Sequence, residues 1–382
     1  MRNICVVITA RPSYSRVRTA LREINEHPDL NLQLIVAGSA LLDRYGSVVE
    51  YIVKDGFSIT EKVFNVLEGE NLSAAAKTTG IGIIELASVF GKIKPDIVVT
   101  VADRYETMAT AIAATYMNIP LAHIQGGEVT GNIDEKVRHS ITKLADYHLV
   151  SSKDAYERVL KLGEHKNSVF ITGCPSLDIA YNVIGNDTLD FDPYEKYGGV
   201  GARPEYKDGY WVVLQHPVTT EIEASRRQIE MTMAAMHAQQ ETVYVFWPNL
   251  DAGADGTSTG IRAYRERHDL EKFHFFKNME PEDFLKLLYH SKGLVGNSSV
   301  GIRECSLMRV PAINIGTRQH LRARGENVID TPSDLHEIEE SLKLIKNKKV
   351  SRSEIYGDGK AGEKIARILA EVKLSFHKTI AY

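Results

Sequence analysis

The chain has 382 residues, 43% hydrophobic, 25% charged and 8% aromatic, which is too long for one ordinary domain and comfortable for two without covalent staples. With 46 Lys and Arg against 50 Asp and Glu the net charge is −4, so no basic field argues for nucleic acid. Cys5, Cys174 and Cys305 are too scattered for a disulfide framework or a zinc spacing and fit a reducing compartment. The apolar run near the N-terminus is too short for a signal peptide, and charged or turn residues interrupt the longer ones. The expectation is a cytoplasmic protein with no membrane and no nucleic-acid partner.

Short β-branched runs at residues 4–9, 32–37, 97–100, 121–124, 147–150 and 169–172 alternate with helical periodicity, for example at 73–90, 105–117 and 154–162. The runs are continuously apolar, as in strands buried on both faces, which predicts βαβ units and a parallel sheet. From about 185 to 208 Gly, Asp and Pro cluster without an apolar period, which reads as linker and loop. The alternation restarts with strands at 210–214, 243–247, 273–276, 294–296 and 312–315, and helices near 221–240, 281–290 and 300–308. A last amphipathic segment, about 362–376, has no strand after it and could pack back onto the first domain. The expected class is α/β, two doubly wound Rossmann-like domains facing a central cleft. Residues 1–180 form the first domain, completed by a helix at 363–382; 181–208 form the linker and loop, and 209–362 the second domain. Ligands of such sheets bind beyond the carboxyl ends of the strands.

Chemically useful residues follow the strands. The first ends in Thr9-Ala10-Arg11-Pro12-Ser13-Tyr14-Ser15, an Arg and hydroxyls opening a helix, which suits an anion and equally suits an ordinary helix start. The run 97–100 leads into Asp103-Arg104, either a structural ion pair or a carboxylate beside a phosphate-binding guanidinium. After 121–124 comes Gln125-Gly126-Gly127-Glu128, then Asn132, Asp134 and Glu135. This loop is dense in acids and amides, and its glycines let backbone approach a ligand. The second domain offers His216 before Pro217, Asn249 after 243–247, Gly316-Thr317-Arg318, and Gly296-Asn297-Ser298-Ser299 before a helix carrying Glu304. The Gly-Asn-Ser-Ser turn is the best diphosphate candidate, since it offers N–H groups and hydroxyls at a helix start. Gly80 and Gly82 lie within a helical pattern, the 198–201 glycines follow no strand, and no Walker A pattern occurs. The basic run 343–349 reads as a solvated helix end.

The segment AHIQGGEVTGNIDEKVRHSITKLADYH, with LQHPVTT, FWPNLDAG, VGNSSVGIRE, INIGTRQ, GENV and IYGDG, resembles the hydrolysing UDP-N-acetylglucosamine 2-epimerases. These include bacterial enzymes of sialic-acid-type pathways and the epimerase half of the bifunctional animal enzyme. The resemblance runs from about Asn3 to Leu369. It implies the GT-B fold, no metal or redox cofactor, and a homodimer or homotetramer acting on a UDP-sugar. The implied reaction takes UDP-GlcNAc and water to N-acetylmannosamine and UDP, by anti-elimination to a 2-acetamidoglucal and rehydration. By matching motifs, Arg11, Ser15, Arg104, His216, Ser298, Ser299 and Arg318 would hold the phosphates or nearby groups. Glu304 would bind the ribose, Asn249 would lie in the cleft, and Asp103 and Asp134 would carry proton transfers. One position departs: many members have Glu where this chain has Gln125, and an amide cannot titrate. Either Glu128 or Glu135 takes that role, or Asp103 and Asp134 suffice, or the substrate is a UDP-2,4-diacetamido-trideoxyhexose. Ala40 is a second difference, a small residue where the animal enzyme has His. A non-hydrolysing 2-epimerase, a GT-B glycosyltransferase and an inactive nucleotide-sugar sensor are the competing classes.

Overall fold

The computed structural model describes residues 1–42, 48–67, 72–102, 104–129, 133–248, 253–346 and 348–381, with residues 72, 133 and 134 described by backbone alone. The chain divides into two compact units, one formed by Met1–Asp178 with Tyr356–Tyr382, the other by Ile179–Ile355.

In unit 1 the strands are β1 (Arg2–Ile8), β2 (Leu30–Ala37), β3 (Ile59–Val63), β4 (Ile97–Val101), β5 (Leu121–Ile124), β6 (Tyr147–Val150) and β7 (Val169–Ile171). They form one sheet in the order β3-β2-β1-β4-β5-β6-β7, every pairing parallel. The crossovers are α1 (Arg11–Glu26), α2 (Val48–Lys54), α3 (Leu72–Ile93), α4 (Tyr105–Tyr116), α5 (Ile133–Leu144) and α6 (Lys153–Lys161); α7 (Ser176–Val183) follows β7. Continuous apolar strands are explained by β1, whose successive side chains feed opposite faces. Ile4, Val6 and Ile8 share a core with Val17, Leu21 and Ile24 of α1. Cys5 and Val7 share another with Leu86 and Phe90 of α3 and Ala109 and Ala113 of α4.

Unit 2 contains α8 (Pro193–Tyr197), β8 (Val200–Gly201), β9 (Tyr210–Leu214), α9 (Ser225–His237), β10 (Thr242–Phe246), α10 (Ala254–Arg267) and β11 (Phe273–Phe276). Then come α11 (Pro281–Tyr289), β12 (Gly293–Gly296), α12 (Glu304–Met308), β13 (Ala312–Ile315), β14 (Val328–Thr331) and α13 (Leu335–Ile345). The sheet order is β14-β13-β12-β9-β10-β11-β8, with only β8 antiparallel among the described strands. Two Rossmann-like units are therefore present, the α/β class expected from the sequence.

Three expectations need correction. The stretch 181–208, read as linker and loop, carries α8 and the edge strand β8. Asp192 caps α8 by accepting from the N–H groups of Tyr194 and Glu195. The Tyr194 ring packs on His274 and Tyr244, with ring centroids 4.8 and 5.9 Å away. The glycines that suggested a loop serve close approach: Gly199 has φ +106°, and a Cβ there would lie 2.4 Å from His274 Nε2. Second, the expected helix 300–308 is a 3-10 turn at Ser299–Gly301 followed by the five-residue α12. Its glycine faces Leu294 and Ala312, where a Cβ would meet carbon at 3.0 and 3.2 Å. Third, the last helix, α14 (Ala361–Glu371), stops short of 376. It packs Ile365, Ala366 and Leu369 into the unit 1 core beside α1.

Beyond α14 the chain lies along unit 1 as a strap. The Tyr147 hydroxyl donates to the carbonyl of Lys373 at 2.6 Å, and the Ala381 N–H donates to that of Gly163 at 2.9 Å. Lys378 lies 2.7 Å from the buried carboxylate of Glu164, which also receives Lys143 at 2.6 Å and His148 at 3.0 Å. Among the described residues no helix is long and apolar enough to cross a membrane.

Candidate functional site

Each sheet has a switch point, where successive crossovers leave in opposite directions and loops splay apart. In unit 1 it lies between β1 and β4; in unit 2, between β9 and β12. The candidate residues cluster on the loops that leave these strands and their neighbours.

In unit 1, Arg11 opens α1 and places its guanidinium 5.1 Å from the centre of the Tyr51 ring. The Ser15 hydroxyl donates to the carbonyl of Arg11 at 3.3 Å. Arg104 stands at the head of α4, with Nε 3.2 Å and Nη2 3.4 Å from the two carboxylate oxygens of Glu106. Asp103 lies outside the described residues. The residue before it, Ala102, has φ +62°, and its carbonyl lies 2.8 Å from Nε2 of the buried His123. A carbonyl only accepts, so Nε2 carries the proton there and Nδ1 can accept from the Thr142 hydroxyl 3.2 Å away. His123 therefore holds backbone.

Past β5, Gln125 is buried at φ +65°, and its amide Nε2 donates to the thiol sulfur of Cys174 at 2.9 Å. The Glu128 carboxylate is buried and accepts from the Ser151 hydroxyl at 2.7 Å, while its carbonyl accepts from Arg138 at 2.7 Å. Glu135 lies 3.1 Å from His139 and 3.4 Å from Arg138. The side chain of Asp134 lies outside the described residues.

In unit 2 one side chain ties the switch-point loops together. Asn297 Oδ1 accepts from the N–H of His216 at 2.8 Å, and its Nδ2 donates to the carbonyl of the same residue at 2.9 Å. The carbonyl of Asn297 accepts from Arg318 at 3.3 Å and Gln319 at 2.9 Å, which brings in the loop after β13. The two strands can end this close because Gly296 has φ +143° and no Cβ; a Cβ would sit 2.2 Å from the carbonyl oxygen of Leu214. Ser298 caps the 3-10 turn, and the Ser299 hydroxyl accepts from Arg303 at 3.1 Å. Glu304, expected one turn into a helix, is the buried first residue of α12. Asn249 lies outside the described residues. Two serine hydroxyls, the N–H groups of a tight turn and Arg318 suit an anionic oxygen group.

Sequence reasoning gave no role to Glu106, Asn297, Ser151 or Cys174. Asn297 stood inside a quoted turn, but nothing in one sequence says that its amide matches the backbone of His216. Glu106 reads as a first-turn helix acid, the commonest kind. Among the described residues no three His, Cys, Asp or Glu side chains converge as a metal site.

The family model described as UDP-N-acetylglucosamine 2-epimerase matches residues 22–370. A Legionella pneumophila protein named UDP-N,N'-diacetylbacillosamine 2-epimerase (hydrolyzing) is 32% identical over 377 residues, covering 98% of this chain and 97% of its own. The Neisseria meningitidis UDP-N-acetylglucosamine 2-epimerase is 31% identical over 343 residues, 90% of this chain and 87% of its own. Among solved structures, a UDP-GlcNAc 2-epimerase from Neisseria meningitidis bound to UDP-GlcNAc superposes with TM-score 0.79 at 16% identity, covering 97% of this chain and 100% of that one. The motifs, the paired Rossmann-like units and these matches agree, and the chain belongs to the UDP-N-acetylglucosamine 2-epimerase family.

Proposed function

We propose that the protein is a hydrolysing 2-epimerase that converts UDP-GlcNAc and water to N-acetylmannosamine and UDP. The observation that carries the nucleotide half is the unit 2 knot, in which Asn297 fastens His216 while its own carbonyl receives Arg318 and Gln319. That knot ties the His216 and Arg318 loops to Asn297, next to Ser298 and Ser299, and donors held in place in this way are what stabilising a leaving diphosphate requires. By matching motifs we assign Glu304 to the ribose, and Arg11, Ser15, Arg104 and Asn249 to the phosphates or nearby groups.

The chemistry assigns the acids of unit 1 to the sugar. A carboxylate removes the proton from C2, the C1–O bond breaks with its electron pair going to UDP, and a 2-acetamidoglucal remains. Water then adds its oxygen to C1, and a proton reaches C2 from the opposite face, inverting that centre. Asp103 and Asp134 are our candidates for the two transfers. Glu128 is a third candidate, its carboxylate held by Ser151 and its carbonyl by Arg138. Gln125 does not titrate, and its amide is engaged with Cys174.

Hydrolysis is supported by the Gly-Gly-Glu and Asn-Ile-Asp-Glu patterns and by the name of the Legionella relative. One observation favours a second substrate: with Gln125 turned to Cys174, the sugar side differs from members that carry Glu there. A diacetamido UDP-sugar is that second reading, and the same relative is named for UDP-N,N'-diacetylbacillosamine. Incubation of each UDP-sugar in heavy water, followed by product NMR, tests both. We expect UDP and free hexosamine with deuterium at C2. An epimerised UDP-sugar without UDP release would make the enzyme non-hydrolysing, and turnover of the diacetamido sugar alone would replace the substrate.

A further inference from the structure

We propose that Glu106 is a positioning residue: its carboxylate holds the Arg104 guanidinium in the orientation that receives the substrate's diphosphate. The inference rests on the reading of Arg104 given above and extends it to a residue with no assigned role.

An acid in the first turn of a helix ordinarily faces water and complements the helix dipole. Glu106 sits in the first turn of α4, yet only 1% of it is exposed. Its two oxygens meet Nε and Nη2 of Arg104 at 3.2 and 3.4 Å. A two-point contact of this kind fixes the plane of the guanidinium as well as its position. The pair is also lopsided: the Glu106 side chain is fully buried, while that of Arg104 is 38% exposed. A core ion pair would bury both charges; this one buries the acid and leaves the cation partly exposed.

The anchor is braced in turn. The Ser39 hydroxyl lies 3.2 Å from Glu106 Oε1 and 3.0 Å from the carbonyl of Thr9. The adjacent Gly38 N–H donates to the buried Asn65 side chain at 2.9 Å. Glu106 thus joins the loops after β1, β2 and β4 at the switch point. To change direction, Arg104 must leave a carboxylate that those loops brace.

The test is a cycle of wild type, Glu106→Gln, Arg104→Ala and the double variant. Affinity for UDP and for uridine is measured by calorimetry, beside thermal unfolding. Glutamine keeps the size of Glu106 and loses its charge. Coulomb's law alone would then tighten the binding of an anion, so weakened UDP binding is diagnostic of lost positioning. We expect Glu106→Gln to weaken UDP about tenfold, the loss of one good charge-assisted contact, with uridine unchanged. We expect Arg104→Ala to weaken UDP at least as much, and the double variant to match Arg104→Ala. If Arg104→Ala weakens UDP while Glu106→Gln does not, positioning by Glu106 is overturned and the role of Arg104 stands. If Arg104→Ala leaves UDP affinity intact, the diphosphate reading of Arg104 itself is overturned. A parallel loss of uridine, or a full additional loss in the Arg104→Ala background, makes Glu106 merely structural and overturns the proposal. If the glutamine variant does not fold, Glu106→Asp replaces it. Its charge is one methylene short, and it should lose several-fold in UDP affinity with uridine unchanged; wild-type UDP affinity there overturns the proposal.

Discussion

Replacing Asn297 with alanine should loosen unit 2 and the nucleotide site proposed there together. Asn297 is 2% exposed and makes both of its side-chain hydrogen bonds to the backbone of His216, at 2.8 and 2.9 Å. Truncation leaves one N–H and one C=O without these partners, at about 1–2 kcal/mol each, so the expected loss is about 2–4 kcal/mol. For a unit of 150–250 residues that corresponds to about 4–16 °C in the Tm of unit 2. The carbonyl of Asn297 still accepts from Arg318 and Gln319, so the loop after β13 keeps its attachment while the loop after β9 loses one. Denaturant unfolding monitored at the tryptophans suits the test, since Trp211 of β9 and Trp247 just beyond β10 both lie in unit 2. UDP affinity should fall in the same variant. Asn297→Asp should not rescue it, because a carboxylate keeps the acceptor for the His216 N–H but turns a second acceptor toward its carbonyl. A loss below about 0.5 kcal/mol, the range of surface substitutions, would refute the claim that this amide holds the loops together.

Gly296→Ala should abolish soluble expression or cost more than about 4 kcal/mol, since its Cβ would meet the carbonyl of Leu214 at 2.2 Å; a stable variant in an expression and unfolding assay would sink the close-approach argument. Ser298→Ala combined with Ser299→Ala should abolish UDP binding by calorimetry with the fold retained, and unchanged affinity would remove that turn from the site. Burial would raise the Glu164 carboxyl, but hydrogen bonds from His148, Lys143 and Lys378 outweigh it and bring it down to about 2. A depressed carboxyl stabilises fully above its unfolded value of about 4.3 and loses that contribution as pH falls toward about 2. Burial lowers His148 as well, so its resistance to charging adds acid sensitivity in the same direction, starting below its ordinary 6.5. Glu164→Gln should flatten the stability profile between about pH 4.5 and 2, and an unchanged slope in acid unfolding would contradict the assignment.

The sheets were legible in the sequence where strands are buried on both faces. Ile97–Val101 and Tyr210–Leu214 read as continuous apolar runs because helices cover both sides. Edge strands gave less: Ile59–Val63 alternates with charges and β8 is two residues of a glycine-rich stretch, so neither stands out from loop. The cluster of Gly, Asp and Pro at 185–208 misled because glycine signals close approach as well as turns. At the candidate site, residue types placed after strands singled out Arg104, Glu128, His216 and the Ser298-Ser299 turn as candidates. What they could not give is who holds them. Asn297, Glu106 and Ser151 act through contacts separated by 81, 67 and 23 positions, and no local period encodes such pairings.

The way unit 1 is closed has a consequence for how the protein is made. Unit 2 is an insertion: the chain leaves unit 1 at Asp178 and re-enters it at Tyr356. Exit and re-entry adjoin, because the Asp178 carboxylate accepts from the N–H groups of Ala361 and Gly362 at 2.9 and 2.8 Å. A growing chain therefore completes all of unit 2 before α14 exists, and the core beneath α1 stays open on the ribosome until then. Bringing α14 to α1 requires closing a loop of more than three hundred residues, which is entropically unfavourable for a flexible chain. Folding unit 2 first shortens that loop, because within unit 2 the Arg352 guanidinium, near one end, lies 5.0 Å from the centre of the Tyr181 ring, near the other. A lesion that delays unit 2 should therefore prolong exposure of the apolar face that α14 covers, in a domain the lesion does not belong to.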